Sequence, residues 1–294
     1  EEKTGIQGLH TLSSASDFVK GEYIKYLDAN LSRALSALAQ EQGVTLNHVV
    51  QAIWTVILQR HNRREDVVFG AVVSGRPPEL QGSSDMVGLF INTIPIRVQA
   101  DGQTSFSGLL TQLRERYAEA SQNGYLPLSE IHGTDLFLAM EIHSYSPLKH
   151  DLVDHILVFE NFPVDPGQER DTADELGFQV NGADFYGRNN YDLALVVVPG
   201  EQLALRFVFN KSIYADGQIE SLGLQFKHLA HTMVASAEQK LSEVGLLPAD
   251  QQKEILARFD FSQLAFPKED TITSIFDRMV KAHPVKEAVV NGRT

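Results

Sequence analysis

The chain offers ten histidines, no cysteine and one arginine in a stiff loop. Histidine is the side chain that most readily moves protons near neutral pH. No two of the ten are adjacent. His150 and His155 flank Asp151 and Asp154 in the run HDLVDH, a spacing that suits a metal or a general base. The run leads directly into an apolar strand, which favours a structural or surface role. His228 and His231 stand three apart on a predicted helix, where a solvated face fits better than zinc. The lack of cysteine removes disulfides, thiolate metal sites and a thiol nucleophile. Gly70 to Arg76 imitates a phosphate loop, but Arg76 replaces the lysine and Pro77 the hydroxyl residue, so phosphate and magnesium ligation fail together. Ser74 is no nucleophile elbow, because Val72 stands where glycine is needed. What remains is Ser74-Gly75-Arg76-Pro77-Pro78-Glu79, a loop whose prolines exclude helix and inner strand and hold a cation in place. Read alone, the loop fixes the Arg76 cation in place, and a surface pair with Glu79 is the plainer alternative.

The elements around this loop position it. Val67 to Val73 is an apolar, β-branched run of strand length, predicted to be buried on both faces. After the loop and Gly88 the chain returns through Leu89–Pro95, where Asn92 either holds neighbouring backbone or satisfies its own strand. Upstream, 22–27 reads as a strand, Asp28 or Asn30 as the cap of a helix ended by Gly43, and Thr45 as the cap of a largely buried helix. Downstream, a helix runs from about Ser105 to Ala120. Residues 121–150 are irregular, with Glu130-Ile131-His132 recurring as Glu141-Ile142-His143. His155–Phe162 is a buried strand, 164–177 an acidic loop, and Tyr191–Val198 with Leu203–Phe209 an antiparallel hairpin. Asp216 is expected to cap a last long helix seamed by Ile219, Leu222, Phe226, Leu229 and Met233. Beyond Pro248 the sequence turns polar, a connector, until an amphipathic helix starts at Thr271-Ile272. A helix–helix–strand order with a near-continuous apolar strand signals an α/β layer fold.

Composition narrows the function class. The 294 residues are 43% apolar and 21% charged, as in globular proteins. The net charge of −13 and the lack of a basic run disfavour nucleic acid. No apolar run reaches membrane-spanning length and the start EEKTG is acidic, so a cytoplasmic location is expected. A first residue that is not methionine and an abrupt end at Asn-Gly-Arg-Thr give the expectation of a piece of something longer.

VVSGRPPEL followed by DMVGLFINTIPIRV closely resembles the fifth core motif of nonribosomal peptide synthetase condensation domains. ILVFENFP and NYDLALVVVPGEQL look like later parts of the same domain. The resemblance implies an α/β fold with a mixed sheet and packed helices, half of a coenzyme A-dependent, chloramphenicol acetyltransferase-like acyltransferase fold. It places the C-terminal lobe in 1–247, an interdomain linker in 248–270 and the start of an adenylation domain in 271–294. The family's His-His-x-x-x-Asp-Gly motif is absent, so no catalytic residue is expected in this chain and the isolated chain should not transfer acyl groups. By resemblance Arg76 pairs with the aspartate of that motif and braces the active-site floor, and Ser74, Gly75, Glu79 and Asn92 are the remaining floor or tunnel candidates. A rigid guanidinium fork suits such a buried pair. The implied parent function is peptide-bond formation between acyl groups tethered to carrier domains by phosphopantetheine, with no cofactor or metal held by this lobe. The implied partners are the first lobe, upstream and downstream carrier domains and an adenylation domain. A non-catalytic scaffold or carrier-binding lobe is the rival reading. An epimerisation lobe shares the fold, but the adenylation-like tail argues against it. Relative to the family, residues 133–143 add about one strand.

Overall fold

Short-range signals start most of the helices. A computed structural model describes residues 18–75, 82, 86–131, 153–160, 191–258 and 270–284. Strand β1, Lys20–Tyr26, is followed by Asp28, whose carboxylate accepts the Leu31 N–H at 3.0 Å and opens α1, Ala29–Glu41. That hydrogen bond holds the Asp28 carboxyl below its ordinary range. Gly43, at φ +63°, ends the helix in the left-handed region that glycine tolerates. Helix α2, Leu46–Asn62, begins with a reciprocal cap. The Thr45 side chain accepts the His48 N–H, and the Thr45 N–H donates to His48 Nδ1 at 3.2 Å. Burial, and secondarily Arg114, pushes the His48 pKa down, which keeps that nitrogen an acceptor.

Strands β2, Asp66–Val73, and β3, Asn92–Gln99, pair antiparallel from Asp66 opposite Gln99 to Val73 opposite Asn92. Helix α3, Phe106–Gln122, is capped by Ser105, and a single turn, α4, covers Leu128–Ile131. Strand β4, His155–Phe159, and the hairpin β5, Leu193–Val198, with β6, Ala204–Asn210, complete the sheet. Its order is β1-β6-β5-β4-β2-β3. Strand β4 runs parallel to both β2 and β5, and the other pairs are antiparallel, so the sheet is mixed as expected.

Alternation decides which face is core. Leu203, Leu205, Phe207 and Phe209 are buried, while Ala204, Arg206 and Val208 between them are only half-buried. That face packs with Phe69, Leu157, Leu195, Trp54 of α2 and Phe106 of α3 into one core. Val68 and Val153 lie in a smaller cluster with Leu128, Ile131 and Tyr191. Strand β2 is thus covered on both faces. Helix α5, Asp216–Ala235, buries the expected seam of Ile219, Leu222, Phe226, Leu229 and Met233.

One expectation needs correcting. The N-cap of α5 is Ala215, and Asp216 is already helical. The Gln218 side chain accepts the Ala215 N–H at 2.9 Å, while Asp216 pairs with Lys211 at 3.0 Å in the acid-favouring first turn. The stretch after Pro248, read as a connector, includes α6, Ala249–Arg258, whose described side chains are all exposed. Gln, Lys, Glu, Leu and Ala are strong helix formers, and this propensity acts without a buried face. The chain divides into two compact units, Glu1–Leu247 and Pro248–Thr294. The second holds α6 and α7, Ile272–Ala282, which Thr271 caps and which buries none of its residues. Among the described residues no helix is long and apolar enough to cross a membrane. The leading linker at 1–16, the 164–177 loop and the extra segment at 133–143 lie outside the described residues.

Candidate functional site

The carboxyl ends of β2, β4 and β5 lie at one end of the sheet, the place where open α/β sheets gather ligands. Ser74 and Gly75 leave β2 there. Gly75 has φ +60°, and a Cβ on it would come within 1.9 Å of the Phe90 carbonyl oxygen. Only glycine lets the chain turn while touching the strand that returns. Arg76 and Glu79 follow at once and lie outside the described residues, as does any pairing between them.

Asn92 opens β3 opposite Val73. Its Nδ2 donates to both the Gly124 and Leu126 carbonyls at 2.8 Å, and its Oδ1 accepts the Thr93 N–H at 2.9 Å. The carbonyl thus serves its own strand, and the amide clasps the turn between α3 and α4. With two donors and a carbonyl engaged, Asn92 positions backbone rather than acting on a substrate. Tyr125, between the two clasped carbonyls, is 76% exposed. Leu89 is 91% and Ile91 58% exposed, and Val87 is fully so. Sequence reasoning missed this apolar rim. The Asn123-Gly124 pair and Pro127 signal a turn, but nothing local ties it to Asn92.

Gly70 is no loop glycine. It sits inside β2 opposite Pro95 and Ile156, and an added Cβ would lie 2.8 Å from Thr93 Cγ2 and 2.9 Å from Ile156 Cγ2. It serves close packing of three strands.

The histidines stand apart from this rim. His155 is 1% exposed at the start of β4, level with Phe69, so about 15 Å of strand separates it from Ser74. Its ring meets Trp54 edge-on, with centroids 5.5 Å apart, and its Nε2 has no hydrogen-bond partner. Burial pushes its pKa down to about 4, so it is a neutral core residue. Burial, then Asp154 and Asp192, pushes the phenol of Tyr214 up. His150 and Asp151 lie outside the described residues. On α5, His228 is half-buried and His231 exposed. Among the described residues no group of three or more His, Asp or Glu could hold a metal. Two open surface cavities, of about 290 Å³ beside Arg60, Arg63 and Gly102 and about 370 Å³ beside Ser36, Gln40 and Glu201, involve none of the rim residues.

The condensation domain family model matches residues 8–256. The chain is 31% identical over 290 residues to bacitracin synthase 3 of Bacillus licheniformis, covering 99% of this chain and 4% of that protein. It is 34% identical over 277 residues to tyrocidine synthase 2 of Brevibacillus parabrevis, covering 94% of this chain and 7% of that protein. The chain thus spans less than a tenth of either relative. Among solved structures, it resembles a four-domain nonribosomal peptide synthetase bound to AMP and glycine, with a TM-score of 0.63 at 18% identity, over 83% of this chain and 19% of that one. It also resembles the first condensation domain of the calcium-dependent antibiotic synthetase in complex with a substrate analogue. There the TM-score is 0.61 at 17% identity, over 84% of this chain and 51% of that one. The matched segment takes in the whole sheet and the Ser74–Asn92 rim, and the chain belongs to the condensation domain family of nonribosomal peptide synthetases.

Proposed function

We propose that this chain is one lobe of a condensation domain that joins two carrier-bound acyl groups by a peptide bond. The observation that carries the reading is the carboxyl end of β2, where Gly75 turns the chain against Phe90 at the family-like Ser74-Gly75 step and the exposed Leu89 and Ile91 need a cover. The fold likeness, which spans half of a solved condensation domain, supports a single lobe.

In the reaction, the amine of the downstream aminoacyl group attacks the carbonyl carbon of the upstream thioester. A C–N bond forms, the C–S bond breaks, and the amine proton passes to a base on the first lobe and from it to the leaving thiolate, which departs as the thiol of its phosphopantetheine arm. This lobe supplies a chamber wall and the Arg76 brace, with Ser74, Gly75, Glu79 and Asn92 shaping the floor. It holds no cofactor of its own, since the phosphopantetheine belongs to the carrier domains. Residues 248–270 would then link to an adenylation domain starting at 271. The uncovered Ile272, Phe276, Met279 and Val280 of α7 support that reading, because such a face needs a domain to pack on. A cytoplasmic location goes with it.

A scaffold reading is favoured for the chain taken by itself, because it lacks the His-His-x-x-x-Asp-Gly motif. Arg76→Ala in the complete module separates the two. The brace requires condensation to fall while adenylation is untouched, and unchanged condensation with an unchanged melting temperature removes it.

A further inference from the structure

We propose that the cavity of about 290 Å³ at the end of α2 is a binding site for a phosphate group, held by Arg60, Arg63 and Arg64. It lies at the Asp66 end of β2, about 26 Å of strand from Ser74, so it is separate from the site above and does not depend on the condensation reading. The chain carries a net −13, yet three arginines line this opening against two carboxylates, Glu65 and Asp101. One of the two is already engaged. Asp101 Oδ1 accepts the Gln103 and Thr104 N–H groups at 3.0 Å and the Thr104 hydroxyl at 2.9 Å, which holds its own turn.

The backbone under the arginines is fixed before any ligand arrives. Gln59 Nε2 donates to the Glu65 carbonyl at 2.8 Å and the Ala100 carbonyl at 2.9 Å, and the Gln59 carbonyl accepts the N–H groups of Arg63 and Arg64. Arg60 donates to the Leu241 carbonyl, which orients its guanidinium. Arg63 has φ 52° and is the one non-glycine residue at positive φ among the described residues. A helix end favours cations, but glycine or asparagine is usual where the chain turns left-handed, because a Cβ is crowded there. The Arg63 side chain makes no hydrogen bond or ion pair among the described residues. An arginine kept in a strained conformation without a partner inside the fold points to a ligand outside it. A guanidinium fork matches two oxygens of a carboxylate or a phosphate. Three forks around one opening exceed what a carboxylate can accept and suit the oxygens of a phosphate. The cavity also has room for a second phosphoryl group, which makes pyrophosphate the probe.

The test titrates pyrophosphate into the full 294-residue chain by calorimetry at constant ionic strength, with melting temperature as a second readout. Binding should be saturable, with one site and a Kd near or below about 1 mM on the scale of charge-assisted hydrogen bonds. Arg63→Gly separates the site from a merely structural arginine. Glycine relieves the left-handed backbone, so the variant should melt no lower than wild type while its Kd rises about tenfold. Arg60→Lys keeps the charge without the fork and should weaken binding severalfold. Arg116→Ala, which removes an exposed arginine of α3 paired with Glu119, should leave the Kd unchanged. A phosphopantetheine arm of the titration tells the sources apart: tighter binding of pyrophosphate assigns a free polyphosphate, and tighter binding of phosphopantetheine assigns a phosphate carried on an arm. Several results would overturn the site. They are no saturable binding at millimolar pyrophosphate, equal losses in Arg116→Ala and Arg63→Gly, or an Arg63→Gly variant that melts lower and binds as wild type does.

Discussion

Acid should unfold the first unit through His155. The imidazole is wholly buried against Trp54 with no partner for Nε2, and its pKa falls from 6.5 to about 4. In the unfolded chain it takes a proton near pH 6.5, whereas in the folded chain it resists one until about pH 4. The folded state therefore keeps its full advantage above 6.5, loses it as the pH falls, and has none left below 4. The shift corresponds to a limit of about 3 kcal/mol, of which about 2 kcal/mol is lost between pH 7.5 and 5. Asp28 and Asp101, held below their ordinary range, lose their stabilisation only at lower pH. His48 is shifted in the same direction as His155, so it must be subtracted by comparison. Urea unfolding at both pH values, followed by the fluorescence of the single tryptophan, Trp54, reads the right unit. His155→Phe keeps an edge-on ring without the titration, and His155→Leu serves if the larger ring does not pack. Either variant should lose about 2 kcal/mol less than wild type on acidification. Equal losses in wild type and variant, within about 0.5 kcal/mol, would refute the reasoning.

Gly75→Ala should cost about 2–4 kcal/mol, because the new Cβ meets the Phe90 carbonyl in a left-handed conformation, and a melting curve like wild type would contradict it. Asn92→Ala strands the Gly124 and Leu126 carbonyls, so amide exchange across 123–127 should speed up with a loss of about 2 kcal/mol. Thr45→Ala, removing the cap of α2, should lower stability by about 1 kcal/mol in denaturant titration. Arg97→Ala breaks a pair with Asp66 on the sheet surface and should change stability by no more than about 1 kcal/mol, less at high salt.

Local chemistry was readable in the sequence, and distant partnerships were not. Asp28 and Thr45 act within three residues of themselves and cap where the sequence puts them, and Ser105 caps the helix expected to start about there. The alternation of Leu203 to Phe209 showed its core face for the same reason. Nothing in the sequence says that β1 pairs with β6, some 180 residues on, or that β4 lies between β2 and β5. Helix α6 escaped notice because it has no buried face to impose a period. At the site, Gly75 and Asn92 stood out, but the carbonyls that Asn92 holds are 32 and 34 residues away. The Trp54–His155 contact was equally invisible, since it joins a helix to a strand across the core. Arg76 stands out through family resemblance and its proline-bounded loop, not through any partner visible in the sequence.

The central claim is that this lobe completes a bipartite acyl-transfer chamber and is inert without its other half. The most direct measurement is dipeptide formation from loaded donor and acceptor carriers, followed by mass spectrometry. It compares this chain alone with the same chain joined to a first lobe that bears the His-His-x-x-x-Asp-Gly motif. Product should form only in the joined protein. Turnover by the chain alone, or none by the joined protein, would contradict the claim.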